Sequence, residues 1–196
     1  MQKNYRQLKL GCYLSSISMS VVGNMPPLLF LTFRETYGIS YSLLGLLILI
    51  NFFTQLIVDL IFSFFSHKFN ISKSVKAMPM LTVIGLLIFT VAPWIFPNST
   101  YTGLAIGTVI FSASSGLAEV LISPVIAEIP AKDPDREMSK LHSVYAWGVV
   151  GVVIISTVYL YMFGAENWQY LAFAFTIIPV MSAILLFGAK VPTVKT

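Results

Sequence analysis

Charge is what this sequence has least of. Asp, Glu, Lys and Arg make up 10% of its 196 residues, against about a quarter in a soluble domain. Apolar residues make up 57% and the mean hydropathy is +0.83, so water cannot be the main solvent. Cysteine occurs once, at Cys12 inside an apolar block, which excludes an intrachain disulfide and a multi-cysteine metal site and reads as a small buried residue. The only histidines are His67 and His142, far apart in sequence. No G-x-x-x-x-G-K-[ST], G-x-S-x-G or H-E-x-x-H pattern is present, and no nucleophile and base can be placed on facing positions. An enzyme is therefore not expected, nor is a cofactor or a metal. The net charge of +4 sits in short basic clusters between apolar blocks rather than in a continuous stripe, which sets nucleic acid aside.

Long apolar runs are what the chain has in abundance. Crossing a bilayer core takes about 20 mainly apolar residues, and six stretches qualify: 8–33, 41–65, 75–96, 101–129, 138–163 and 169–186. The first is too long for a signal peptide and lacks a small-x-small cleavage site. Short polar hairpins at 34–38, 66–74, 97–100, 130–137 and 164–167 join antiparallel neighbours. The expectation is an all-α integral membrane protein, with residues 1–196 forming one six-helix transmembrane domain. Lys3, Arg6, Lys9, Lys68, Lys73, Lys76, Lys132, Arg136, Lys140, Lys190 and Lys195 fall on one side of these spans, and only Arg34 falls on the other. That side is expected to be cytoplasmic, with both termini, in a multi-pass protein of the plasma membrane. Trp94 and Trp168 are expected in the aromatic belt at the outer interface.

An ionisable side chain among apolar helices is costly unless paired or hydrated, so the two intramembrane carboxylates, Asp59 and Glu119, are the first functional candidates. In the fourth span Glu119 shares about 80° of helical arc with Thr108, Ser112, Ser115 and Ser123. Such a face lines a polar cavity, or else its hydroxyls bond back to their own helix and let neighbours approach. Glu119 favours the cavity, since a packing face gains nothing from a carboxylate. The second span carries Asn51, Gln55 and Asp59 at four-residue spacing, a matching polar stripe. Asp59 has two readings: an ion pair with Lys68 or Lys73 reaching back from the interface, or a substrate or proton group. The first span adds Ser16, Ser20 and Asn24, followed by Met25-Pro26-Pro27, where proline bends the chain. In the fifth span His142 reads as a hydrated interfacial histidine, while Tyr145 and Trp147 reach deeper and can stack on a sugar-like ring or simply pack.

The first and fourth spans rhyme, each with proline near its end and a polar residue slightly upstream (Asn24 before Pro26; Glu119 before Pro124). This points to a three-plus-three inverted arrangement. The chain resembles the N-terminal half of a major facilitator superfamily transporter, closest to the fucose permease group of sugar–proton symporters. The resemblance is carried by 116–124 (GLAEVLISP), 141–148 (LHSVYAWG) and 167–169 (NWQ). It implies proton coupling at Glu119; Asp59, from its place among apolar helices, is a second candidate for that role. It also implies a substrate cavity containing Asn24, to which the polar and aromatic stripes add Asn51, Gln55, Ser112, Ser115, Tyr145 and Trp147. Pro27 stands where fucose permease has an acidic residue, and segment 63–71 keeps the basic position of the superfamily's loop signature at Lys68. That segment is expected to form a cytoplasmic charge cluster of His67, Lys68 and Glu128. The function expected is a lobe of a secondary transporter moving a small polar solute, a sugar, with protons by alternating access. It would pair with a second six-helix bundle, either a C-terminal half or another copy. The alternative is a six-helix assembly or sensor subunit that transports nothing.

Overall fold

The computed structural model describes residues 2–192, with side chains from Tyr5 onward. Lys195 and the side chain of Lys3, two of the cations used to orient the chain, lie outside the described residues. Seven α-helices follow in order: α1 (Gln2–Leu28), α2 (Phe30–Tyr37), α3 (Tyr41–Phe65), α4 (Ile71–Ile95), α5 (Thr100–Ala127), α6 (Pro134–Phe163) and α7 (Trp168–Gly188). Helices α3 to α7 are each long and apolar enough to cross a membrane, and α1 with α2 makes a sixth span bent by 47°. Pro26 and Pro27 cause the bend. Neither can donate to the preceding turn, so regular bonding stops and the chain restarts through Leu29 N–H on the Pro26 carbonyl.

The connections are shorter than hydropathy suggests, because polar capping residues start the helices before the apolar stretch begins. Ser40, Asn70 and Asp133 accept from the backbone N–H groups of Leu43, Lys73 and Arg136 at the starts of α3, α4 and α6. Thus α4 starts at 71 rather than 75, and α6 at 134 rather than 138. Gly38, at φ 65°, ends α2 in the left-handed conformation that glycine adopts without strain.

The packing repeats with inversion. The first span (α1) packs on the fifth and sixth (α6, α7), and the fourth (α5) packs on the second and third (α3, α4); the third and sixth (α4, α7) pack on each other. Exchanging each span with the one three places later maps this contact pattern onto itself. The result is a six-helix bundle with a three-plus-three inverted arrangement. Helices α4 and α5 approach closely through Gly85 and Gly107, where any Cβ would stand 2.6–2.7 Å from a backbone nitrogen of the facing helix.

Two apolar clusters hold the bundle at its two ends. Leu8, Cys12, Val75, Met78, Val125 and Leu186 pack at the end that carries the termini. At the other end Phe33, Phe89, Phe111 and Trp168 make tilted or edge-on ring contacts 5.1–5.9 Å apart. Trp168 therefore departs from the expected lipid-facing belt. It is buried, and its indole N–H donates to the Tyr37 hydroxyl at 3.1 Å, which gives the polar tip of a buried tryptophan the partner it needs. Trp94 is exposed.

Candidate functional site

A cleft of about 480 Å³ opens among α1, α3, α5 and α6. It takes Gln55 and Asp59 from α3, Glu119 and Ser123 from α5, His142 and Tyr145 from α6, and Ser16 from α1, over a floor that includes Phe52, Met19 and Leu141. The local causes are helical. Gln55 and Asp59 are one turn apart, as are Glu119 and Ser123, and His142 and Tyr145 lie three residues apart on one face. Gly116 brings α3 against α5, because its missing Cβ would stand 3.0 Å from the Gln55 carbonyl oxygen and from the Val58 side chain. Ser20 seats α6 by donating to the Tyr145 carbonyl at 3.0 Å.

Behind the cleft wall, Gln55 Nε2 donates to Asn51 Oδ1 at 2.9 Å, and Ser112 donates to the same oxygen from α5. This pins the amide stripe of α3 to α5 and aims it along the cavity wall. Asp59 Oδ1 is shut off from solvent and has no hydrogen-bond partner in the protein, an acceptor left open. Of the two readings of Asp59, the ion pair is not formed. The Lys68 ammonium stands 5.0 Å over the Phe65 ring, and neither Lys68 nor Lys73 pairs with Asp59 among the described residues.

The remaining candidates go elsewhere. Asn51 lines a smaller cavity of about 210 Å³ with Thr108, Pro26 and Pro27, and Phe52 lies between the two cavities as a lining residue of both. Asn24 donates to the Ser20 carbonyl of its own helix at 2.9 Å and lines neither cavity. Ser112 and Ser115 are buried in the contact between α5 and its neighbours rather than on the cleft, as small hydroxyl residues in membrane helices often are. Trp147 is 74% exposed on a different surface. It follows Tyr145 by two residues, which is about 200° of helix turn, so the two rings cannot share a wall. His67, Lys68 and Glu128 are all exposed, and no ion pair joins them among the described residues.

The ion-paired cluster at the end carrying the termini is a different one. Glu137 accepts from Lys9 and Lys140, each at 2.8 Å, and from the Tyr13 hydroxyl at 3.3 Å, clamping α1 to the start of α6. The Lys140 and Lys9 ammonium groups hold its carboxyl down to about 2. Sequence reasoning missed this clamp, and it also missed Phe52. Phe52 had a signal, since 52, 55, 56 and 59 follow helical spacing. The clamp had none, because Lys9 and Glu137 are 128 residues apart.

No family model and no curated sequence matches the chain. Among solved structures, it is similar to that of a D-xylose-proton symporter, with a TM-score of 0.73 and 20% identity, over 96% of this chain and 47% of that one. The chain thus spans about half the length of that transporter and has the fold of one of its halves.

Proposed function

We propose that this chain is one lobe of a secondary transporter in which Glu119 and Asp59 exchange protons while the same cleft takes a small polar solute, a sugar. One observation carries the reading: two carboxylates from different helices line a single cleft with an amide, an imidazole and a phenol, in a bundle with the fold of half a sugar–proton symporter. Two carboxylates lining one cleft within the membrane-spanning helices suit a site that must gain and lose a proton in each cycle. Tyr145, on the cleft wall, suits the face of a sugar ring. The fucose permease resemblance at 116–124 assigns Glu119 the same role.

Alternating access needs a second body to rock against. The reading therefore includes a second six-helix bundle, a C-terminal half or another copy, facing the little-buried helices α3 and α6. It also places both termini in the cytoplasm of a plasma-membrane protein, on the positive-inside distribution. The test is uptake by proteoliposomes of the intact protein under an imposed pH gradient, with a panel of pentoses and hexoses. Proton-driven accumulation that disappears in Glu119→Gln is the expected result. Accumulation that survives the substitution overturns the proton role, and a protein that moves no solute at all overturns the transporter reading.

A further inference from the structure

On the opposite side of α6 from the carboxylate cleft lies a second opening, a groove of about 680 Å³. It exists because α6 and α7 both pack along α1 but barely touch each other, leaving a furrow with α1 as its floor. Gly151, Ile155 and Trp147 form one wall and Phe175 and Ile178 the other, all apolar. At the end that carries the termini the lining changes abruptly to Arg136, Ser139, Lys140 and Ser143.

We propose that this groove holds an anionic phospholipid, with its phosphate against Arg136 and Lys140 and one acyl chain along Gly151 and Ile155. Charge is the first support. Lys9 and Lys140 share the single carboxylate of Glu137, and the Arg136 guanidinium has no acidic partner among the described residues. Asp133 and Asp135 stand beside Arg136 at the start of α6, but among the described residues the only charged ones that line the groove are Arg136 and Lys140, so its rim is positive, as basic pockets for acidic headgroups are. The second support is length. Ser143 to Ile155 is twelve residues, about 18 Å of helix, close to half of a hydrocarbon core of about 30 Å; a tail starting at the rim reaches about the depth of one leaflet. The third is space. A Cβ built on Gly151 meets no atom within 4 Å, so the furrow stays open at its middle. Trp147, exposed near the polar rim, has the amphipathic ring that settles at headgroup depth. A polar solute finds no acceptor along these walls. The inference needs only that the bundle spans a membrane. It agrees with the proposed orientation, since acidic lipids face the cytoplasm.

The test uses phosphatidylglycerol carrying a photoreactive group in one acyl chain, incorporated with the intact protein in phosphatidylcholine nanodiscs, with cross-linked peptides mapped after irradiation. Labelling of α6 and α7 peptides around Gly151 and Ile155 is expected. It should fall by about fivefold in Arg136→Gln, the effect of one basic residue near an anionic headgroup. It should also fall in Gly151→Phe, whose Cβ enters open space and whose ring takes up the furrow, and stay unchanged in Lys73→Gln, a cation outside the groove. Elution of each variant as a single species confirms folding, and labelling does not depend on transport, so this proposal and the transporter reading fail separately. Equal labelling in all variants, or a photoreactive phosphatidylcholine probe that labels as well as phosphatidylglycerol, overturns it. So does Gly151→Cys that cross-links to another part of the protein, which would show a helix covering the furrow.

Discussion

The two faces of α6 open onto cavities of comparable size and opposite construction. Towards α3 and α5 lies the cleft of about 480 Å³ with Asp59 and Glu119. Towards α7 lies the groove of about 680 Å³ whose walls are apolar and whose charges sit only at the rim. In a chain this poor in charge, the size of an opening says little about its use. Where the few ionisable groups stand is what distinguishes the two, and it carries both proposals. The same contrast divides the helices. In the most apolar stretch of α5 56% of residues are buried inside the bundle, against 17% for α3 and 11% for α6. Helices α4 and α5 form the packed interior, while α3 and α6, which flank the cleft, leave most of their surface to lipid or another bundle.

The largest effect should come from removing the charge that distinguishes the cleft. Glu119→Gln is expected to lower proton-driven uptake in proteoliposomes by about 100-fold or more, the scale of losing a positioned proton-transfer group. Tyr145→Ala, on the same face of α6, should raise the half-saturating solute concentration by roughly tenfold through loss of ring stacking. Two glycines, one in the helix contact beside the cleft and one in the groove, sharpen the comparison through stability. Gly116→Leu forces a side chain into the α3–α5 contact and should cost about 1–3 kcal/mol. Gly151→Ala enters open space and should gain up to about 1 kcal/mol from helix propensity; thermal unfolding in detergent reads both. Ser112→Ala, which removes one donor from Asn51, should cost about 0.6 kcal/mol by the same measurement.

The Glu137 clamp gives a pH dependence of defined sign. Its carboxyl is held at about 2 in the fold against a usual 4.5, so the folded state binds the proton more weakly than the unfolded chain. Its contribution to stability is fully present above about pH 4.5 and is lost as pH falls towards 2. The difference in unfolding temperature between the protein and Glu137→Gln should therefore be constant from about pH 8 to about pH 5 and shrink below that.

Much of this was legible beforehand because membranes punish polarity. The apolar runs reveal the spans, and Gln55, Asp59 and Glu119 stand out because a charged or amide side chain among leucines is too costly to persist without a partner or a cavity. What stayed hidden depends on how helices rotate against one another. Hydropathy does not say that Trp147 turns its back on Tyr145, that Ser112 spends its hydroxyl on Asn51, or that Trp168 is buried because Tyr37 accepts its N–H. Capping by Asn70 and Asp133 likewise begins helices in polar sequence that a search for apolar runs passes over.

The coupling proposed for Glu119 and Asp59 is tested most directly in reverse. Proteoliposomes of the intact protein, loaded with a pH-sensitive dye and held at equal pH inside and out, are given a steep inward gradient of each sugar in turn. Under the proposal, one of these solutes acidifies the lumen, and Glu119→Gln abolishes the acidification. Solute entry without any change in lumen pH, in the protein and the variant alike, would contradict it.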